Sequence, residues 1–119
     1  MKIRATVNGK FLTATLNGCE TAKDFASLLP LTRTMNDLFR REKFASLPRS
    51  ISRNDKHVRA YAVSEIAYWP PGPDVAIFYR HDGEAIPDPG IVVLGKIASG
   101  IDAFDVRGPL QVTFEITDW

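Results

Sequence analysis

Only one stretch of this chain repeats its apolar residues at helical spacing. Ala22, Phe25, Ala26 and Leu29 fall at i, i+3, i+4 and i+7 and make a single stripe. Thr21 is placed to cap it, and Asp24 three residues on gives a weak form of the capping box. Pro30 ends it, because the residue before a proline is driven toward extended geometry. A helix over Thr21–Leu29 is too short to stand alone in water, so it has to pack on something else. Elsewhere Gly, Pro and Asn-Gly turns cut the chain into runs with room only for strands.

The strands announce themselves with different clarity. Ile3, Ala5 and Val7 alternate with polar neighbours, and Asn8-Gly9 supplies the pair that a type I′ hairpin turn needs, with a return strand over Lys10–Leu16. Leu31–Met35 reads as a strand, whereas Asn36–Ser64 is the least regular region, with His57–Val63 its one strand candidate. Glu65–Trp69 is regular again and stops at Pro70-Pro71-Gly72-Pro73, which neither strand nor helix can cross. Asp74–Arg80 and Ile91–Leu94, extended by Gly95-Lys96-Ile97, read as buried strands. Ile101–Phe104 has the look of one helical turn, and Leu110–Ile116 alternates cleanly as a last strand. Seven or eight short strands and one helix predict an antiparallel sandwich or barrel, with closure attractive because it removes exposed edges.

Size and composition fit one ordinary globular domain over residues 1–119, with 45% hydrophobic and 24% charged residues. The single cysteine, Cys19, excludes an internal disulfide framework and a multi-cysteine zinc site. The longest unbroken apolar run, Val75–Tyr79, falls far short of the ~20 residues that span a bilayer. Thr6, Asn8 and Lys10 interrupt any leader-like apolar segment after Met1. The expectation is a cytoplasmic protein without a membrane partner.

Candidate chemistry is sparse. His57 and His81 lie far apart and outside any Cys/His cluster, so no metal site is expected. Ser99-Gly100 lacks the nucleophile-elbow pattern, and Gly90, Gly95 and Gly100 do not have dinucleotide-loop spacing. Cys19 precedes the helix, where a helix N-terminus can lower a thiol pKa, although a small turn residue is the simpler reading.

Net charge is only +1, yet residues 33–59 hold eight basic side chains against Asp37, Glu42 and Asp55, giving +5 there and −4 elsewhere. With Phe39 and Phe44 interleaved, this stretch bears some likeness to an anion- or nucleic-acid-binding surface. A solvated basic loop is the plainer account, since the global field is weak. Tyr68-Trp69 ahead of the proline-rich turn suggests instead the wall of a shallow apolar groove, the alternative being ordinary core packing.

Four pieces of the sequence resemble a known family. Thr21-Ala22-Lys23-Asp24-Phe25-Ala26-Ser27-Leu28 resembles the T-A-x-N-F-x-x-L helix of cyclophilins. Val92-Val93-Leu94-Gly95-Lys96-Ile97-Ala98-Ser99-Gly100-Ile101-Asp102 resembles their V-V-F-G-K-V-x-x-G-M-D segment. Glu65–Phe78 is similar to their L-S-M-A-N-A-G stretch and the strand after it. Asp24–Leu31, Leu47-Pro48-Arg49, Ile66-Ala67-Tyr68 and Ala76–Arg80 together look like the small prokaryotic cyclophilin-like proteins.

The resemblance implies a mostly β fold, a closed antiparallel eight-stranded barrel with one capping helix. It carries the prolyl isomerase site over poorly. Leu47-Pro48-Arg49 can stand where those enzymes have F-H-R, which leaves Arg49 as the one catalytic candidate. Phe78 can supply an aromatic wall, but the F-M-x-Q segment has no counterpart and Ile91 occupies the histidine position. The reading is therefore a cyclophilin-like binding module that needs no cofactor and takes a small molecule or peptide in a barrel-side groove formed by Arg49, Tyr68, Trp69 and Phe78. A weak peptidyl-prolyl cis-trans isomerase is the enzymatic alternative, and an anion or nucleic-acid binder through residues 33–59 the other.

Overall fold

The structure, a computed structural model, describes residues 1–118. Its eight strands are β1 (Lys2–Val7), β2 (Lys10–Leu16), β3 (Leu31–Leu38), β4 (Glu42–Ser46), β5 (Glu65–Trp69), β6 (Asp74–Phe78), β7 (Val92–Ile97) and β8 (Leu110–Ile116). They close into one barrel in the order β1-β2-β7-β5-β6-β4-β3-β8, with every pairing antiparallel. Closure follows from short strands whose inward residues are almost all apolar. Ile3, Ala14, Ile66, Ile77, Leu94 and Phe114 are among the fully buried side chains of the interior.

The β1–β2 hairpin turns as its sequence predicts, with Asn8 at φ 50° and Gly9 at φ 76°. Gly95 is a different case. A Cβ there would collide with the Thr15 carbonyl of β2, so only glycine lets β7 approach that closely.

The helix α1 spans Glu20–Ala26. It starts before Thr21 because Cys19 is the N-cap, its Sγ accepting the Ala22 N–H at 3.4 Å. Beyond Ala26 the chain keeps turning, with Leu28 and Leu29 donating to Phe25 and Ala26. Phe25 packs edge-on against Phe114, centroids 5.8 Å apart, and so closes the barrel end where β3 begins.

The opposite end is closed by polar groups. Lys43 is fully buried, and its Nζ donates to Asp37 Oδ1 (3.1 Å) and to the carbonyls of Val106 (2.6 Å) and Gly108 (2.8 Å). The Tyr79 hydroxyl also donates to Asp37. Burial, and then the bond to Asp37, push the Tyr79 phenol up to about 12.

Strand β4 lies inside the region that reads as irregular. Its alternation is inverted, with Lys43 inside the barrel and Phe44 outside, so a polarity pattern could not reveal it. Strand β3 runs on to Leu38, beyond Met35, and turns through Phe39 (φ 58°) and Arg40 (φ 50°). His57–Val63 forms no strand; only Val58 bridges to Ile91. The segment from 47 to 64 instead packs first against the core and α1, with Leu47 and Ile51 buried, and then against the outer wall through Val58 and Tyr61. Asp55 Oδ2 accepts from the Thr21 N–H (2.6 Å) and hydroxyl (2.8 Å), and Asp24 accepts the Ser52 N–H (2.7 Å).

Candidate functional site

The outer face of β4, β5 and β6 carries an apolar hollow. Three rows of outward side chains build it. Trp69 and Asp74 are cross-strand partners in one row, and Phe78 and Glu42 are partners in another. Between these rows lie Ala67, Ala76 and Phe44 in register. The small Ala76, flanked by large side chains, leaves a depression, and Ile86, Pro87 and Ile91 from the long connection after β6 wall one side of it. The result is a groove of about 190 Å³.

Its two ends differ in charge. At the Phe78 end, Arg41 is only 5% exposed and bonds to Glu42, with a second carboxylate, Asp82, at 3.4 Å. Its guanidinium lies 5.3 Å from the Tyr61 ring centroid, 5.4 Å from Phe39 and 5.8 Å from Phe78. Burial raises the Glu42 carboxyl above the usual carboxylate range, and Arg41 offsets only part of that. At the Trp69 end stands Asp74, whose carboxyl is also raised by burial. No hydrogen-bond donor among the described residues reaches it, in contrast to Asp24, Asp37, Asp55 and Asp82.

The sequence model of the Cyclophilin-like family matches residues 5–115. The chain belongs to this family. A solution structure of the hypothetical protein AF2241 from Archaeoglobus fulgidus is similar at a TM-score of 0.75, covering 97% of this chain and 93% of that one. At 20% identity that likeness is one of fold. No curated protein matches the chain.

Within this cyclophilin-like barrel the residues singled out from sequence do not share one place. Trp69 and Phe78 line the groove. Tyr68 does not, since alternation along β5 turns it into the barrel interior, where it is 1% exposed and its hydroxyl accepts the Ile51 N–H at 3.2 Å. Arg49 lies outside the groove as well. It is paired with Asp24 (2.9 Å), and it also donates to Ser27 Oγ (3.1 Å) and the Ser50 carbonyl (3.1 Å). An arginine held on α1 in this way cannot donate to a substrate in the Ala76 hollow without giving up those bonds.

The basic region is likewise dispersed. Arg41 and Lys43 are buried, Arg40 is paired with Asp105 at 2.7 Å, and Arg59 Nε donates to the Ile86 carbonyl at 2.7 Å. Cys19 caps the helix, and burial raises its thiol rather than lowering it. His57 bridges the Arg53 and Pro89 carbonyls, and His81 stacks on Tyr61. No group of metal-ligating side chains occurs among the described residues, and no helix there is long and apolar enough to cross a membrane.

Sequence reasoning missed Glu42, Phe44 and Asp74 as members of one site. The one available signal was the pairing of Glu65–Trp69 with Asp74–Arg80 across the proline turn, which brings Trp69 opposite Asp74. For β4 there was none, because its outward residue is the aromatic one.

Proposed function

We propose that this protein is a binding module that takes a small molecule or a short peptide in the groove over Ala76. The observation that carries the reading is Ala76, a small residue set between Trp69, Phe44 and Phe78 on the wall of the groove. A small residue at the centre of an aromatic face leaves apolar surface that a ligand can cover. The groove's modest volume suits a single ring or side chain better than an extended chain. The single cysteine, unpaired, supports a cytoplasmic location for this activity.

The test is a fragment screen followed by NMR, reading the Ala76 methyl group and, in every variant, the Trp69 Nε1–H. Ligands are expected to shift those signals saturably, and Ala76→Leu, which fills the hollow, is expected to abolish the shift of the Trp69 Nε1–H while unfolding stays cooperative. Fragments that bind elsewhere, or that bind Ala76→Leu equally well, overturn the reading.

A further inference from the structure

We propose that the groove selects a small organic ammonium ion, its apolar body over Ala76 and its positive end between Asp74 and the Trp69 indole. This rests on the groove being the binding site, and adds the chemical class of what fills it.

The first support is the charge inventory. Arg41 is the one basic side chain lining the groove, and it is already committed to Glu42 and Asp82. Asp74 stands at the other end, partly buried, with no described donor to satisfy it. The Asp74 carboxylate is partly desolvated and committed to no other described group, so it is free to pair with an incoming cation at the groove's edge. An anion would meet the same unpaired carboxylate and be repelled.

The second support is register. Trp69 and Asp74 are direct cross-strand partners, so their Cβ atoms lie about 5 Å apart on one face. An ammonium group placed there has both the carboxylate and the indole within reach, and tryptophan is the strongest of the aromatic cation acceptors. A Cβ on Gly72 would collide with the Asp74 side chain, so the turn leaves room for that carboxylate where it stands. The free space, about 190 Å³, suits one ring with a short ammonium arm.

Three probes of one shape and different charge test this: phenethylammonium, 2-phenylethanol and 3-phenylpropanoate, titrated against the protein with the Ala76 methyl and Trp69 Nε1–H followed by NMR. Phenethylammonium is expected to bind at least ten-fold more tightly than the alcohol, and the carboxylate least of all. Asp74→Asn removes no internal bond and is expected to fold. It should bring the ammonium and the alcohol to within about two-fold of each other, chiefly by weakening the ammonium. Equal binding of the three probes, or a preference that survives Asp74→Asn, overturns the ammonium assignment but leaves the groove as a binding site. If none of the three probes moves the Ala76 methyl, both this assignment and the groove reading fail. If N-acetyl-lysine methylamide binds as tightly as phenethylammonium, the ligand is a peptide side chain and the small-molecule assignment is overturned.

Discussion

The Tyr61 ring lies flat against Phe78, with centroids 4.3 Å apart and planes 21° from parallel. Its hydroxyl donates to Asp82 Oδ1 at 2.8 Å and accepts the Asp82 N–H at 3.1 Å. One side chain thus ties the connection after β6 to the outer wall of the barrel, beside the groove. Tyr61→Phe keeps the stack and loses the two hydrogen bonds, an expected cost of about 1 kcal/mol. Tyr61→Ala loses both and is expected to cost about 3 kcal/mol in urea unfolding. Equal effects from the two changes would show that the hydroxyl alone matters.

Lys43 makes a stronger claim on stability. Lys43→Met keeps most of its length but removes the buried ammonium that Asp37 and the carbonyls of Val106 and Gly108 share. Tyr79 and Arg40 still donate to Asp37, and Arg40 to Val106, so among the described residues the Gly108 carbonyl is the one left without a side-chain donor. Removing one partner of a buried pair costs about 3–5 kcal/mol. Chemical unfolding of Lys43→Met is expected to show a loss in that range, and a loss below about 1 kcal/mol would mean that water enters to replace the amine.

Two aspartates should bend the pH profile in opposite senses. Hydrogen bonds from Arg49, and then from the Ser52 N–H, hold the Asp24 carboxyl below its ordinary range. Such a group stabilises the fold above its unfolded pKa of about 4, and that contribution is lost as pH falls through the lower folded value. Asp24→Asn should therefore lower stability at pH 7 and flatten the acid limb. Asp74 is raised by burial, so its ionised form opposes folding. Asp74→Asn should raise stability at pH 7, with the gain fading as pH falls through the raised value toward about 4. Urea midpoints between pH 3 and 7 for the three proteins check both signs.

Prolyl isomerisation is expected to be little accelerated. The barrier is about 18–20 kcal/mol, and lowering it requires a donor at the prolyl nitrogen together with a pocket for the ring. Here Arg49 is engaged with Asp24 and Ser27, away from the Ala76 groove. Exchange NMR on a short X-Pro peptide should show rates close to those without protein, unchanged by Arg49→Ala. Turnover that vanishes in Arg49→Ala would assign catalysis to the α1 side of the molecule.

How much of this was readable in the sequence depended on whether pattern and environment agreed. Asn8-Gly9 fixed a hairpin because the turn needs positive φ at both residues and the chain offers the pair that tolerates it. Leu110–Ile116 and Lys2–Val7 alternate because one face meets the core. Strand β4 broke that agreement twice over. Lys43 is buried as a hydrogen-bonding hub, while Phe44 faces a groove instead of the core, so the same polarity rule that works for β8 hides β4. Tyr68-Trp69 shows the other limit. A pair of neighbouring aromatics on a strand must point to opposite sides, and only the register tells which one looks outward. Arg49 was separable from the groove only once the fold had placed it, since its spacing from Trp69 in the chain carries no distance.

The closed ring of strands has a consequence for how anything can attach to this molecule. Each strand has a neighbour on both sides, so little backbone edge is left for a visiting strand, and what there is lies along the β2–β7 and β3–β4 seams, which pair over three residues each. Recognition thus falls mainly to side chains on the barrel's convex wall, whose replacement leaves the ladder hydrogen bonds in place. The scaffold and its specificity are therefore free to evolve separately.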